Sequence, residues 1–163
     1  MKKTPIKRND NIVKLSRDHH AGLLFCWKLR QGIKHHAAKE RMIKYVQYFW
    51  DHHFYEHFRE EEQILFAPLK DKDKLVQKAI EDHQRVKTLI NEIIFSGSEN
   101  QHDKLSALAD MVDEHVRYEE RILFPHLEKE LSEEQLENIG KRISDEPLKD
   151  NYEDTFWIKP KSL

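Results

Sequence analysis

The chain has 163 residues, one cysteine, and 28 Lys and Arg against 30 Asp and Glu, which suits a single domain with one core and excludes a disulfide scaffold and a polycation. Only nine residues are glycine or proline, too few for the turns of an all-β or collagen-like chain, so long helices are the expected fold. With 36% charged residues and a mean hydropathy of -0.85, no apolar run approaches the roughly 20 residues that span a bilayer.

The start, MKKTPIKRND, is basic but runs into polar residues without the apolar core of a secretory leader. The expected location is therefore the cytoplasm, and the lone Cys26 reads as a small buried hydrophobe in a reducing compartment. Apolar residues at spacings of three and four then predict four long helices. The first starts near Asn9 or Asp10, either able to cap it, and runs to about Gly32 to His35. Its seam is Ile12, Leu15, His19, Gly22, Cys26, Leu29 and Ile33. The second, from about Ala38 to Pro68, presents Ile43, Val46 or Gln47, Trp50, Phe54, His57, Glu61 and Leu65.

The third helix, from about Asp73 to Phe95, presents Val76, Ala79, His83, Val86, Ile90 and Ile93 before SGSEN breaks the pattern. The fourth, from about Gln101 to Glu130, presents Leu105, Leu108, Val112, His115, Glu119, Ile122 and His126. Ser132 with Gln135 three residues on forms a capping box for a short fifth helix to about Ile143, and Pro147 ends that segment. The expected organisation is a bundle with this short helix over residues 1–146, then an irregular tail, 147–163, that Phe156 and Trp157 could dock.

The chain also repeats itself. HFREEEQILF at His57 to Phe66 matches HVRYEERILF at His115 to Phe124 in seven of ten positions, and Asp18-His19 echoes Asp82-His83. Two copies of one helical hairpin fold naturally into an antiparallel up-and-down four-helix bundle, the fold class expected here.

Five His-x-x-x-Glu pairs occur, more than composition supplies by chance, but only His57/Glu61 and His115/Glu119 recur inside the ten-residue repeat. The pairs His36/Glu40, His52/Glu56 and His126/Glu130 lie near loops or on the wrong face and read as solvated pairs. Height in the bundle selects the same residues: at about 1.5 Å per residue, His19, His57, Glu61, His83, His115 and Glu119 fall at one level to within about a turn. Burying two carboxylates and four imidazoles unpartnered would cost several kcal/mol per charge, against a total stability of about 5 to 15 kcal/mol. A cation is therefore required. Nitrogen and oxygen donors without thiolate suit iron, with manganese or zinc as alternatives, and six side chains around two ions make a dinuclear site with both glutamates bridging. We expect two iron ions sharing an oxygen bridge derived from solvent.

The order His19, His57-x-x-x-Glu61, His83, His115-x-x-x-Glu119, with ILF after each Glu, resembles the hemerythrin-like HHE cation-binding domain over about residues 10 to 130. This resemblance implies a non-haem di-iron centre that binds or reacts with dioxygen, peroxide or nitric oxide. The sequence departs from the oxygen-carrying hemerythrins, which place a second histidine four after the first on the third helix and an aspartate five after the last. Here Lys87 follows His83, and Glu119 stands four after His115. With one ligand fewer, the site is expected to exchange ligands more readily and to lean toward peroxide or redox chemistry. A peroxide-detoxifying or oxidase enzyme and an iron-supply or storage protein are the competing readings.

Among neighbouring residues, His20 rivals His19 but lies on a less apolar stripe. His53, one turn before His57, reads as partly exposed or as supporting a ligand rather than as a seventh ligand. Glu62, Glu120, Arg59 and Arg117 repeat as faithfully as the ligands but point off the seam; they read as solvated charges, with hydrogen bonding to the ligands as the alternative. Basic residues are interleaved with acids, so the expected partner is a small molecule, without nucleic acid or membrane, and the expected state is a monomer or weak homodimer.

Overall fold

In the computed structural model the described residues are 7–97 and 100–161. Most of the basic start, Ser98 and Glu99 in the SGSEN break, and the last two residues lie outside them. Among the described residues five helices form and no strand: α1 (Val13–Lys34), α2 (residues 39–65), α3 (Lys74–Phe95), α4 (residues 101–130) and α5 (Glu133–Arg142). Short connections reverse the chain between the four long helices, which pack as a four-helix bundle. None of the described helices is long and apolar enough to cross a membrane.

The helix starts follow local chemistry. Asp73 Oδ1 accepts from the backbone N–H groups of Leu75 and Val76 at 2.9 and 3.2 Å, fixing the first turn of α3. Ser132 and Gln135 form the expected reciprocal capping box on α5. The first helix differs from expectation: it begins at Val13, after Ile12, without a side-chain cap. Asn9 instead accepts from the Asn11 N–H at 2.9 Å and closes a separate turn ahead of the helix.

Helices α2 and α4 are not regular. Residues Trp50–Phe54, Glu61–Leu65 and Glu119–Leu123 form π turns, and the Phe66 N–H donates to the Glu61 carbonyl at 2.7 Å, five residues back. A π turn inserts one extra residue and shifts the phase of everything beyond it, a local cost that tends to mark functional positions. Pro125, which cannot donate to a helical ladder, stands two residues after the third π turn.

The core divides in two. Phe25, Leu29, Tyr45, Phe49, Ile90 and Leu108 belong to one apolar cluster; Leu15, Leu65, Phe66, Val76, Leu123 and Leu127 belong to the other. Beyond α5 the tail is non-helical, and Phe156 is buried in the first cluster with its ring 5.2 Å from Tyr45. Lys28 ties the same segment down by donating to Asp150 at 2.9 Å and standing 4.1 Å over the Trp157 ring.

Gly32 is what admits Phe156. A Cβ at that position would stand 2.8 Å from both Met42 Sδ and Phe156 Cδ2. Gly32→Ala is therefore expected to destabilise the protein by about 1–3 kcal/mol through overpacking, read as a lower urea midpoint at unchanged slope.

Candidate metal centre

Between the two apolar clusters lies a polar layer. Helices α1 and α3 each contribute one imidazole, His19 and His83, while α2 and α4 each contribute a His and a Glu four residues apart and so on one face. The four imidazoles are at most 5% exposed, and Glu61 and Glu119 are fully buried. Each of these glutamates is the first residue of a π turn, so the extra residue sits where the carboxylate must point inward.

All six side chains converge. The donor atoms fall into two groups, His19, His57, Glu61 and Glu119, and Glu61, His83, His115 and Glu119, within each of which all lie within 4.8 Å of one another. His19 Nε2 stands 2.9 Å from Glu119 Oε1 and 3.7 Å from Glu61 Oε2. His57 Nε2 and His83 Nε2 stand 3.2 and 3.1 Å from Glu61 Oε1, and His115 Nε2 is 3.2 Å from Glu119 Oε1. The Nε2 atoms of His83 and His115 are themselves 3.1 Å apart.

The opposite nitrogen of each ring faces a carboxylate on the neighbouring helix. Asp18 on α1 accepts from His57 Nδ1 at 3.1 Å, Glu62 on α2 from His83 Nδ1 at 2.8 Å, Asp82 on α3 from His115 Nδ1 at 3.2 Å, and Glu120 on α4 from His19 Nδ1 at 2.6 Å. The four links form a closed ring around the bundle. Such bonds fix the ring tautomer, turn the Nε2 lone pair inward and raise its basicity.

This overturns the reading of Glu62 and Glu120 as solvated charges in favour of its alternative: both are only about a quarter exposed and hydrogen-bond to His83 and His19. Asp18 and Asp82 received no role from the sequence, although the repeated Asp-His pair was the available signal. Cations stand behind three of the four. Lys14 contacts Asp18 at 3.1 Å, Lys78 donates to Asp82 at 2.9 Å, and Arg8 donates to Glu120 at 2.8 Å. Arg59 and Arg117 do pair with surface acids, Glu56 and Asp113.

The electrostatics follow from this packing. Burial opposes the imidazolium of His57 and of His115, but the Glu61 charge with Asp18, and the Glu119 charge with Asp82, outweigh it and push each up to about 9. His19 and His83 are raised for the same reason against the same burial. Burial would raise Asp82 and Glu120, yet their hydrogen bonds to His115 and His19 hold both at about 2.

The remaining histidines sort cleanly. His20 and His52 are exposed, and His126 bonds to Asp73 at the start of α3. Lys87, one turn after His83, is exposed. His53 departs from expectation: it is 2% exposed rather than partly exposed, and it lies outside both donor groups. It lines, with His19, His57 and His115, a cavity of about 10 Å³, room for about one water-sized molecule.

The donor set fits a cation. With Nδ1–H committed to the outer carboxylates, the inward atoms are lone-pair donors that cannot satisfy one another. Both oxygens of Glu61 and Oε2 of Glu119 accept no hydrogen bond although imidazole nitrogens stand beside them. Such an arrangement is stable only around positive charge.

Residues 10–127 match the family described as Hemerythrin HHE cation binding domain. No curated protein and no solved structure matches the chain.

Two outcomes follow. In metal-free protein, His57 and His115 gain protons on folding because about 9 lies above their ordinary 6.5. Their contribution to stability is full below pH 6.5 and lost as pH rises through 9, so melting temperature after chelation should fall across that window while metal affinity rises. Separately, Asp82→Asn should lower metal affinity about 10–100-fold without removing a ligand, measured by chelator competition.

Proposed function

Because the chain belongs to the hemerythrin HHE cation-binding domain family, we propose that its buried layer holds two iron ions and acts on a small molecule such as dioxygen, peroxide or nitric oxide. His19 and His57 serve one ion, His83 and His115 the other, and Glu61 and Glu119 are shared between them. Iron supplies reversible one-electron chemistry and coordination positions open to an exogenous ligand.

The rest is the work of this chain. Asp18, Glu62, Asp82 and Glu120 orient the four imidazoles and hold their Nδ1 protons. The two apolar clusters keep bulk water from the layer, so charge inside it is weakly screened. The small cavity beside His19, His57 and His115, walled by Val86, Val112 and Val116, has room for about one water-sized molecule and so favours the smallest ligands.

The observation that carries this reading is the pair of donor groups sharing both glutamates. Full burial of those carboxylates and a second layer of hydrogen bonds also support a resident cofactor over a cargo that must leave readily. The test is anaerobic metal analysis with absorption spectra before and after air. Two irons per chain and an oxygen-dependent band in the near ultraviolet or visible are expected; protein purified without stoichiometric metal, and unable to take it up, overturns the proposal. Glu61→Ala and Glu119→Ala should each lose metal and stability together, whereas Glu56→Ala, which removes an ion pair with Arg59, should lose neither.

A further inference from the structure

His53 is a buried imidazole with no partner. It sits in the π turn Trp50–Phe54, one turn before His57, with its ring stacked on Phe49 at a centroid distance of 4.5 Å. It is 2% exposed, and neither ring nitrogen makes a hydrogen bond. A neutral imidazole carries one N–H donor and one lone pair, and stripping both of water is a cost that nothing in the chain offsets. A phenylalanine would stack on Phe49 equally well, so packing does not explain the histidine.

What lies in front of it is the cavity. Gly22, Phe54, Val86, Val112 and Val116 give it apolar walls, and the ligand imidazoles of His19, His57 and His115 form its floor. His53 is thus the one lining side chain that is polar, unpartnered and outside the donor groups.

We propose that His53 is the hydrogen-bond partner of the small molecule that enters this cavity, a positioning residue that binds the ligand's outer polar atom while the metal layer takes the inner one. The inference rests on the function proposed above and narrows its substrate class to very small molecules with a hydrogen-bond acceptor at the outer end. Dioxygen and nitric oxide fit; a purely apolar gas of the same size gains nothing from the imidazole.

The test uses nitric oxide on the iron-loaded, reduced full chain, comparing wild type with His53→Phe and His53→Asn by metal content, nitric oxide Kd and the N–O stretching frequency. Both variants should keep the wild-type metal content. His53→Phe should bind nitric oxide about tenfold more weakly, the worth of one hydrogen bond, with a raised N–O stretch, and His53→Asn should fall between. Unchanged affinity and stretch in His53→Phe overturn the assignment and leave the metal reading standing. Loss of metal in either variant also overturns it, because His53 would then be a ligand. Metal-loaded wild type that takes up no nitric oxide overturns the assignment of His53 and leaves the metal reading standing. Should His53→Phe fail to fold, the same criteria apply to His53→Asn alone.

Discussion

Two carboxylates without any exposed surface face the inward nitrogens of four imidazoles in one layer of the bundle, and the rest of the molecule is arranged around that requirement. Lone-pair donors at about 3 Å from one another repel unless positive charge stands between them. Protons or metal ions that fill the layer would therefore stabilise the folded chain, which couples cation binding to folding. The division of the apolar core into two clusters is the packing expression of the same fact, since a polar sheet of six side chains cannot be crossed by continuous hydrocarbon contact.

Helices α2 and α4 are irregular at those groups, whereas α1 and α3 are not. A His and a Glu four residues apart share a face of α2 and again of α4, but each glutamate opens a π turn. The next residue, Glu62 or Glu120, reaches the imidazole of an adjacent helix, as Asp18 and Asp82 do from the regular helices α1 and α3. One residue in the widened turn thus points to the centre and its neighbour to the second layer. Two consecutive carboxylates consequently do different work, separated by backbone phase rather than by chemistry.

Much of this was legible in the sequence because the signals were periodic. The seam from Ile12 to Ile33 and its counterparts gave the helices, Asp73 and the Ser132/Gln135 pair marked two helix starts, and duplication of the His-x-x-x-Glu motif separated two pairs from three coincidental ones. Glu62 and Glu120 were misread for a physical reason: they fall off the inner face of their own helix, and periodicity along one helix does not say which imidazole the adjacent helix brings up. Asp18 and Asp82 left a signal in the repeated Asp-His pair, but it assigned them no role, because the partner that each meets lies on the next helix. The exposure of His53 was misjudged because its burial depends on tertiary walls drawn from α1, α3 and α4.

The ring of carboxylate-to-imidazole links also bears on how such a molecule could be assembled from smaller parts. Within the first hairpin one link is complete, from Asp18 to His57, while His19 lacks its acceptor and Glu62 its donor; the second hairpin has Asp82 linked to His115 and the complementary vacancies. Each half thus ends in one plug and one socket, and two halves close the circle head to tail. The connection between the halves adds bonds of its own, since Phe66 is buried in the second cluster and Asp73 caps α3 while holding His126.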